Sequence, residues 1–401
     1  MRMRIQVLFF MVVFFVVLTA DGMTGVCQEN FPVNANAAAL LDFNSGQFLL
    51  EKNADEKIEP ASFTKVMTLY VVQDGLKSGA IKLKDMVTIS ERAWSMGGSQ
   101  MYLKVGTQEP LDVLLKGLAV VSANDACVAV AEHMSGKVEM FVEEMNRKAR
   151  ELGLTNTTFV NVHGLPADGQ VTSARDMAIL ASHYIKDYPQ VLNLHSMQEF
   201  TYNNITQRNR NGLLNMNVGV DGLKTGYIKT SGYHLLATAQ REGRRLIAVV
   251  MGAEKPKIRE AEALNLLNYG FRNFILMEVL KKGGAVKTIP VKGGKFDTVE
   301  LIAQDSVIIT VPVREKESVK TTESIPAQIA APIKKGAVVG KVTVEVGGKQ
   351  TRQVNVLAKN DVPRGWQRYL KTGGVILGFI VLLLIFRSLV GRRRPKDMVI
   401  R

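Results

Sequence analysis

The spacing of apolar residues changes several times along the chain, and each change predicts an element. Residues 38–50 read as two short apolar runs around Asn44-Ser45-Gly46, a strand pair joined by a tight turn. PASFTKVMTLYV (60–71) reads as an amphipathic helix entered through a proline. Helical spacing returns over 117–136, which ends at Gly136, over 137–153, and over 173–186, where Ser173 and Asp176 form a capping-box pattern. Residues 233–252 alternate as two strands turning at Glu242-Gly243, and 257–274 return to helix. Strand pair, helices, strand pair, helix predicts one α+β domain over about 30–278, its mostly antiparallel sheet built from both ends of the segment. From about 280 to 360, alternating apolar and polar residues with Gly-rich turns predict a small all-β module, a spacer or interaction platform without a catalytic constellation of its own.

Two stretches break these patterns by being apolar on every side. Residues 7–18 form an uncharged apolar run behind Arg2 and Arg4 and ahead of small residues. This is the layout of a secretory signal peptide over 1–22, the alternative being an uncleaved N-terminal anchor. Residues 373–390 carry one charge, Arg387, and lead into a basic tail over 391–401. They predict a membrane anchor helix behind a linker at 361–372, with surface-lying as the alternative and the basic tail on the cytoplasmic side. Together they predict an exported body held on the periplasmic face of a bacterial inner membrane.

Composition adds less. The chain has 401 residues, 46% hydrophobic and 22% charged, enough for two or three globular domains. The net charge of +14 comes partly from the two ends, and no nucleic-acid-binding pattern accompanies it. The two cysteines, Cys27 and Cys127, cannot be the main staple of a chain this long, and Cys127 in an apolar helix reads as a buried thiol. Val26 before Cys27 makes a poor lipoprotein site. His133, His163, His183, His195 and His234 form no ligand spacing, which predicts no metal. No G-x-S-x-G elbow is present.

Candidate chemistry begins at the 60–71 helix. Ser62 and Lys65 are three apart at its start, so their side chains share a face near the positive end of the helix dipole. Taken alone, a serine there is as well explained by an N-cap. Two later stretches change the weighing: Ser122-Ala123-Asn124, and Lys224-Thr225-Gly226 just before the second strand pair. Ser-x-x-Lys, Ser-x-Asn and Lys-Thr-Gly in that order form the set found in penicillin-binding proteins and serine β-lactamases.

With EPASFTKVMT, SANDACVAVAEH, LGLTNTTFVNVHGL, TSARDMA, NRNGLL and VDGLKTGY added, the chain resembles the D-alanyl-D-alanine carboxypeptidases, the low-molecular-mass penicillin-binding proteins of peptidase family S11. The resemblance covers nearly the whole mature chain. It implies a transpeptidase-like α+β domain, then the β-module and the membrane segment. It also implies removal of the terminal D-alanine from peptidoglycan stem peptides, sensitivity to β-lactams, and no cofactor. Ser62 would be the acylated nucleophile and Lys65 its base. Lys65 must then be neutral, a state favoured by burial and by the charge of Lys224. Ser122 would relay a proton, and Asn124 would hold Lys65 and the substrate amide. Lys224 and Thr225 would bind the terminal carboxylate, with Arg210 nearby, and Gly226 leaves room for backbone approach. The N–H groups of Ser62 and Tyr227 would form the oxyanion hole. Tyr227 replaces the His or Thr of many relatives; its backbone donor survives the change. His163 is expected to hold a turn rather than catalyse.

A DD-endopeptidase is open to the same chemistry. A β-lactamase would need a deacylating Glu; Glu151 in ELGLT is a near match that reads better as a helix end closed by Gly153. A non-catalytic scaffold is the remaining alternative.

Overall fold

The computed structural model describes residues 31–391. The predicted signal segment, Cys27 and the basic tail lie outside them.

β1 (Ala37–Asp42) and β2 (Phe48–Lys52) form the first hairpin, turning through Gly46 at φ 74°. A 3-10 turn, Ala61–Phe63, leads into α1 (Thr64–Ser78). Predicted helix 117–136 is two pieces. A π-helical turn, Gly117–Val121, ends at Ser122 with φ 66°, and α2 (Asn124–Ser135) starts afresh. Apolar residues run through the break because both pieces are buried on every side from 117 to 131; the left-handed backbone at Ser122 leaves no mark in hydrophobicity. Helices Val138–Glu151 and Ala174–Asp187 follow. Ser173 accepts from Asp176 N, and the Asp176 carboxylate turns instead to Asn156 N and Thr157, so the capping box is half formed.

β3 (Val220–Ile228), β4 (Gly232–Arg241) and β5 (Arg244–Ala253) complete an antiparallel sheet of order β2-β1-β5-β4-β3. Glu242 and Gly243, at φ 48° and 79°, make the β4–β5 turn with the two left-handed residues a two-residue hairpin needs. β5 lies at the centre with nearly every side chain buried, which explains the apolar run from Leu246 to Met251. One face of the sheet packs Leu236, Ile247 and Val249 against Phe63, Met67 and Val128 of the helical side. The other packs Leu40, Leu235 and Val250 against Leu266 and Leu267 of helix Pro256–Asn273. β3, at the edge, has one side free.

Phe274–Leu280 pairs with Val307–Pro312, and a six-stranded sheet drawn from 285–358 completes the β-module around Leu301, Ile309, Val344 and Val356. The module docks on the first hairpin. Ser45 Oγ meets Thr310 Oγ1 at 2.7 Å, and Gln47 Oε1 accepts Thr310 N at 2.6 Å. Arg244 bridges buried Asp42 and the Phe274 carbonyl. A last helix spans Gln367–Gly391. Its side chains are described at 370 and from 373 to 388, and among the described residues no helix is long and apolar enough to cross a membrane.

Candidate active site

Neither motif serine caps a helix. α1 has no side-chain cap, and Ser62, half-buried on the 3-10 turn before it, accepts instead from Lys65 Nζ at 3.2 Å. α2 likewise has no side-chain cap, and the Ser122 hydroxyl is buried without a hydrogen-bond partner. A buried hydroxyl left unpaired costs stability, so a local structural role does not account for it. Ala61, just before the first motif, and Ser122, the first residue of the second, both hold positive φ, the kind of backbone strain that collects at functional sites.

Lys65 is the hub. It is fully buried, and its Nζ donates to Asn124 Oδ1 at 2.7 Å and to the His163 carbonyl at 2.6 Å, besides Ser62. Asn124 is fixed in turn: its Nδ2 donates to Gly97 O at 2.7 Å and its N–H to Ser99 O at 2.7 Å. Asp125, next along, accepts from Met101 N and Leu103 N and so pins the loop that carries Ser99. Among the described residues no carboxylate pairs with Lys65. Burial lowers its pKa to about 8, and the Arg210 charge pushes the same way. Lys224, 3% exposed with its Nζ on the Thr225 carbonyl at 3.2 Å, is held well below its usual range by burial first and then by the Lys65 charge. Arg210 thus adds a push on Lys65 that the sequence does not suggest, and the repulsion expected between Lys224 and Lys65 couples the two buried amines.

The third motif reaches the first through Gly226. A Cβ there would stand 3.1 Å from Ala61 Cβ, so the glycine lets edge strand β3 lie against the turn that carries Ser62. Thr225 is buried behind it, and Tyr227, 53% exposed, stacks on Tyr233 at 4.3 Å. Arg210 is exposed and donates to Ser99 Oγ at 2.7 Å. Its carbonyl and that of Gly226 both accept from Arg259, a buried residue of the far helix that the motifs do not reveal. Glu151 ends its helix paired with Lys148 at 3.1 Å, followed by Gly153 at φ 72°. Among the described residues no group of three or more His, Cys, Asp or Glu could hold a metal. Cys127 is a buried free thiol, its pKa pushed up to about 11 by burial.

Residues 24–255 match the D-alanyl-D-alanine carboxypeptidase family and residues 274–364 the penicillin-binding protein 5 C-terminal domain. The chain belongs to the D-alanyl-D-alanine carboxypeptidase family. It is similar to D-alanyl-D-alanine carboxypeptidase DacC of Escherichia coli (strain K12), 43% identical over 341 residues, covering 83% of this chain and 85% of that one. Its fold is similar to the crystal structure of penicillin binding protein 5 from Haemophilus influenzae, with TM-score 0.78 and 42% identity over 84% of this chain and all of that one. It also resembles penicillin-binding protein D2 of Listeria monocytogenes in its ampicillin-bound form, with TM-score 0.57 and 30% identity over 61% of this chain and all of that one.

His163 illustrates what the family motifs alone do not convey. Its carbonyl takes the Lys65 bond, while its ring accepts Leu165 N at 3.1 Å. Burial and the Lys65 charge lower the imidazole to about 3, so the ring stays neutral. His163→Ala is therefore expected to cost about 1 kcal/mol of stability and to leave Ser62 acylation within about fivefold. Time courses with a fluorescent penicillin check this; a hundredfold loss would give the ring a catalytic part.

Proposed function

We propose that this protein is a penicillin-sensitive serine carboxypeptidase that removes the terminal D-alanine from peptidoglycan stem pentapeptides. The observation that carries this is a single buried amine, Lys65 Nζ, bonded to both Ser62 Oγ and Asn124 Oδ1 with no carboxylate among the described residues paired to keep it charged. Neutral Lys65 takes the Ser62 proton as Oγ attacks the carbonyl carbon of the penultimate D-alanine. Ser62 N–H and Tyr227 N–H receive the developing oxyanion. Collapse of the adduct breaks the C–N bond, and the leaving amine takes a proton relayed through the Ser122 hydroxyl. Water then hydrolyses the ester on Ser62. Lys224, Thr225 and Arg210 hold the terminal carboxylate, whose negative charge restores the Lys224 ammonium that burial disfavours. A β-lactam acylates the same serine, a reading that the ampicillin-bound relative supports.

The localisation belongs to the same proposal: export by the segment over 1–22 and attachment to the periplasmic face of the inner membrane by the C-terminal helix. Support comes from the uncharged run 373–386 and the basic tail beyond it. From Val375 to Phe386 the described apolar side chains are 48–72% exposed, with nothing among the described residues covering them.

Purified protein is expected to release D-alanine from a stem pentapeptide, and mass spectrometry after penicillin to place the adduct on Ser62. Absence of release from a chain that still acylates at Ser62 overturns the carboxypeptidase reading. Rapid hydrolysis of the drug without a lasting adduct favours a lactamase instead.

A further inference from the structure

The β-module ends in a surface unlike the rest of it. The chain leaves the module through Asp361–Trp366, and this exit strand is tied to the loop 292–297. Lys295 N donates to Pro363 O at 2.8 Å, Gly365 N donates to Gly293 O at 2.9 Å, and Gly294 bridges Arg364. Contact is close because glycines meet: a Cβ on Gly365 would stand 2.5 Å from Gly294 O. The adjoining segment is tied in as well, Ile333 pairing with Val362 and Lys335 N donating to Asp361. Phe296 and Trp366 are brought to this end, 54% and 65% exposed, two large aromatic rings that the module does not bury. Lys292, Lys295, Lys334, Lys335 and Arg364 surround them, all exposed, against two acids, Asp297 and Asp361. Helix Gln367–Gly391 begins at the next residue.

We propose that this end of the β-module is itself a membrane-docking surface. Phe296 and Trp366 enter the headgroup layer, and the five basic groups contact anionic lipid phosphates. The proposal rests on the reading that the C-terminal helix attaches the chain to a bilayer. It adds a second contact, made by the folded module, which fixes how the module stands on the surface. Continuity and charge argue for lipid as the occupant. The patch sits where the chain passes into an apolar helix, so any bilayer holding that helix is already within reach. Aromatic rings flanked by lysine and arginine also match the amphipathic chemistry of the headgroup zone. A flexible tether would need neither the exposed rings nor the glycine-tight seam that locks the loop to the exit strand.

The test uses the full chain with a polarity-sensitive fluorophore on Phe296→Cys in a Cys27→Ser background, and with the same label on Lys186→Cys in the catalytic domain as control. Acylation by fluorescent penicillin verifies folding of each. Co-sedimentation with vesicles reports the helix and label emission reports the patch. On phosphatidylcholine–phosphatidylglycerol vesicles the chain is expected to co-sediment and the label at 296 to shift to the blue, with the label at 186 unchanged. Lys292→Gln and Lys295→Gln should each weaken the docked population about fivefold while co-sedimentation persists. Co-sedimentation with the 296 label still in water, or a shift equally strong on phosphatidylcholine alone, overturns the docking surface and leaves the anchor standing. Failure to co-sediment overturns the anchor and this proposal with it.

Discussion

Lys65→Ala is expected to slow acylation of Ser62 by penicillin about 10⁴-fold, and Lys65→Arg to be just as slow. The pair of substitutions separates two jobs for the amine. Lysine could serve as a fixed cation that organises Asn124 and the His163 carbonyl, or as the base that accepts the serine proton. Arginine keeps the cation and its donors but does not give up its proton in this range. The structure favours the base: Lys65 is buried, bonds only to neutral acceptors, and sits at about 8. In the proposed base role only the neutral amine is active, and its fraction rises with pH. The wild-type acylation rate should therefore climb through pH 8 and level off above it, with about a tenth of the plateau one unit below. Because Lys65 and Lys224 feel each other, the midpoint belongs to the pair. Stopped-flow rates against pH check the limb. A Lys65→Arg protein that acylates at a tenth of the wild-type rate, or a wild-type rate flat from pH 6 to 9, would remove the amine from the base role.

Much of this site was legible because its chemistry is spelled by side chains in short runs. Ser62 and Lys65 are a helical turn apart, Ser122 and Asn124 two residues apart, and Lys224 to Gly226 lie along one strand. Four of the sheet's five strands were legible too, from the apolar run Leu246–Met251 and the strong turn signal of Glu242-Gly243; edge strand β3 was missed, its motif expected just before the second strand pair, because Gly222, Lys224 and Gly226 break its apolar pattern. Unread were the backbone carbonyls that hold the motif side chains. The carbonyls of His163 and Gly97, which orient Lys65 and Asn124, belong to residues whose side chains say nothing of that service. Arg259 comes from a helix on the far face of the sheet, and no local pattern links it to Gly226. The left-handed backbone at Ser122 was hidden because apolar residues report burial and not whether the helix is continuous. The further cation acting on Lys65, Arg210, was missed because charge effects follow distance in space. Arg210 reaches the cleft from a loop 111 residues beyond its partner Ser99.

Gly164→Ala should be nearly as damaging as loss of the base, although no side chain is removed. Gly164 holds φ 90°, and a Cβ there would stand 1.8 Å from the Ala61 carbonyl oxygen and 2.4 Å from its carbon. Backbone atoms cannot rotate away as a side chain would. Ala61 is already at φ 47°, and its carbonyl also accepts from Thr64 Oγ1 at 2.9 Å. Relief must come from separating the 163–165 loop from the 3-10 turn. That movement carries Ser62 on one side and the His163 carbonyl, with its Lys65 bond, on the other. The expected results are about 3–5 kcal/mol lost in chemical denaturation and acylation slowed about 10²-fold or more in the folded fraction, as for a nucleophile misplaced by roughly 1 Å. Gly153→Ala is the matched control. It also has positive φ, at 72°, but nothing lies within 4 Å of its Cβ position, so it bears strain without a clash. It should cost about 1 kcal/mol and leave acylation unchanged. If both alanines acylate at the wild-type rate, the contact between Gly164 and Ala61 does not set the position of the nucleophile. If both are slow, backbone strain and not close approach is what these glycines relieve.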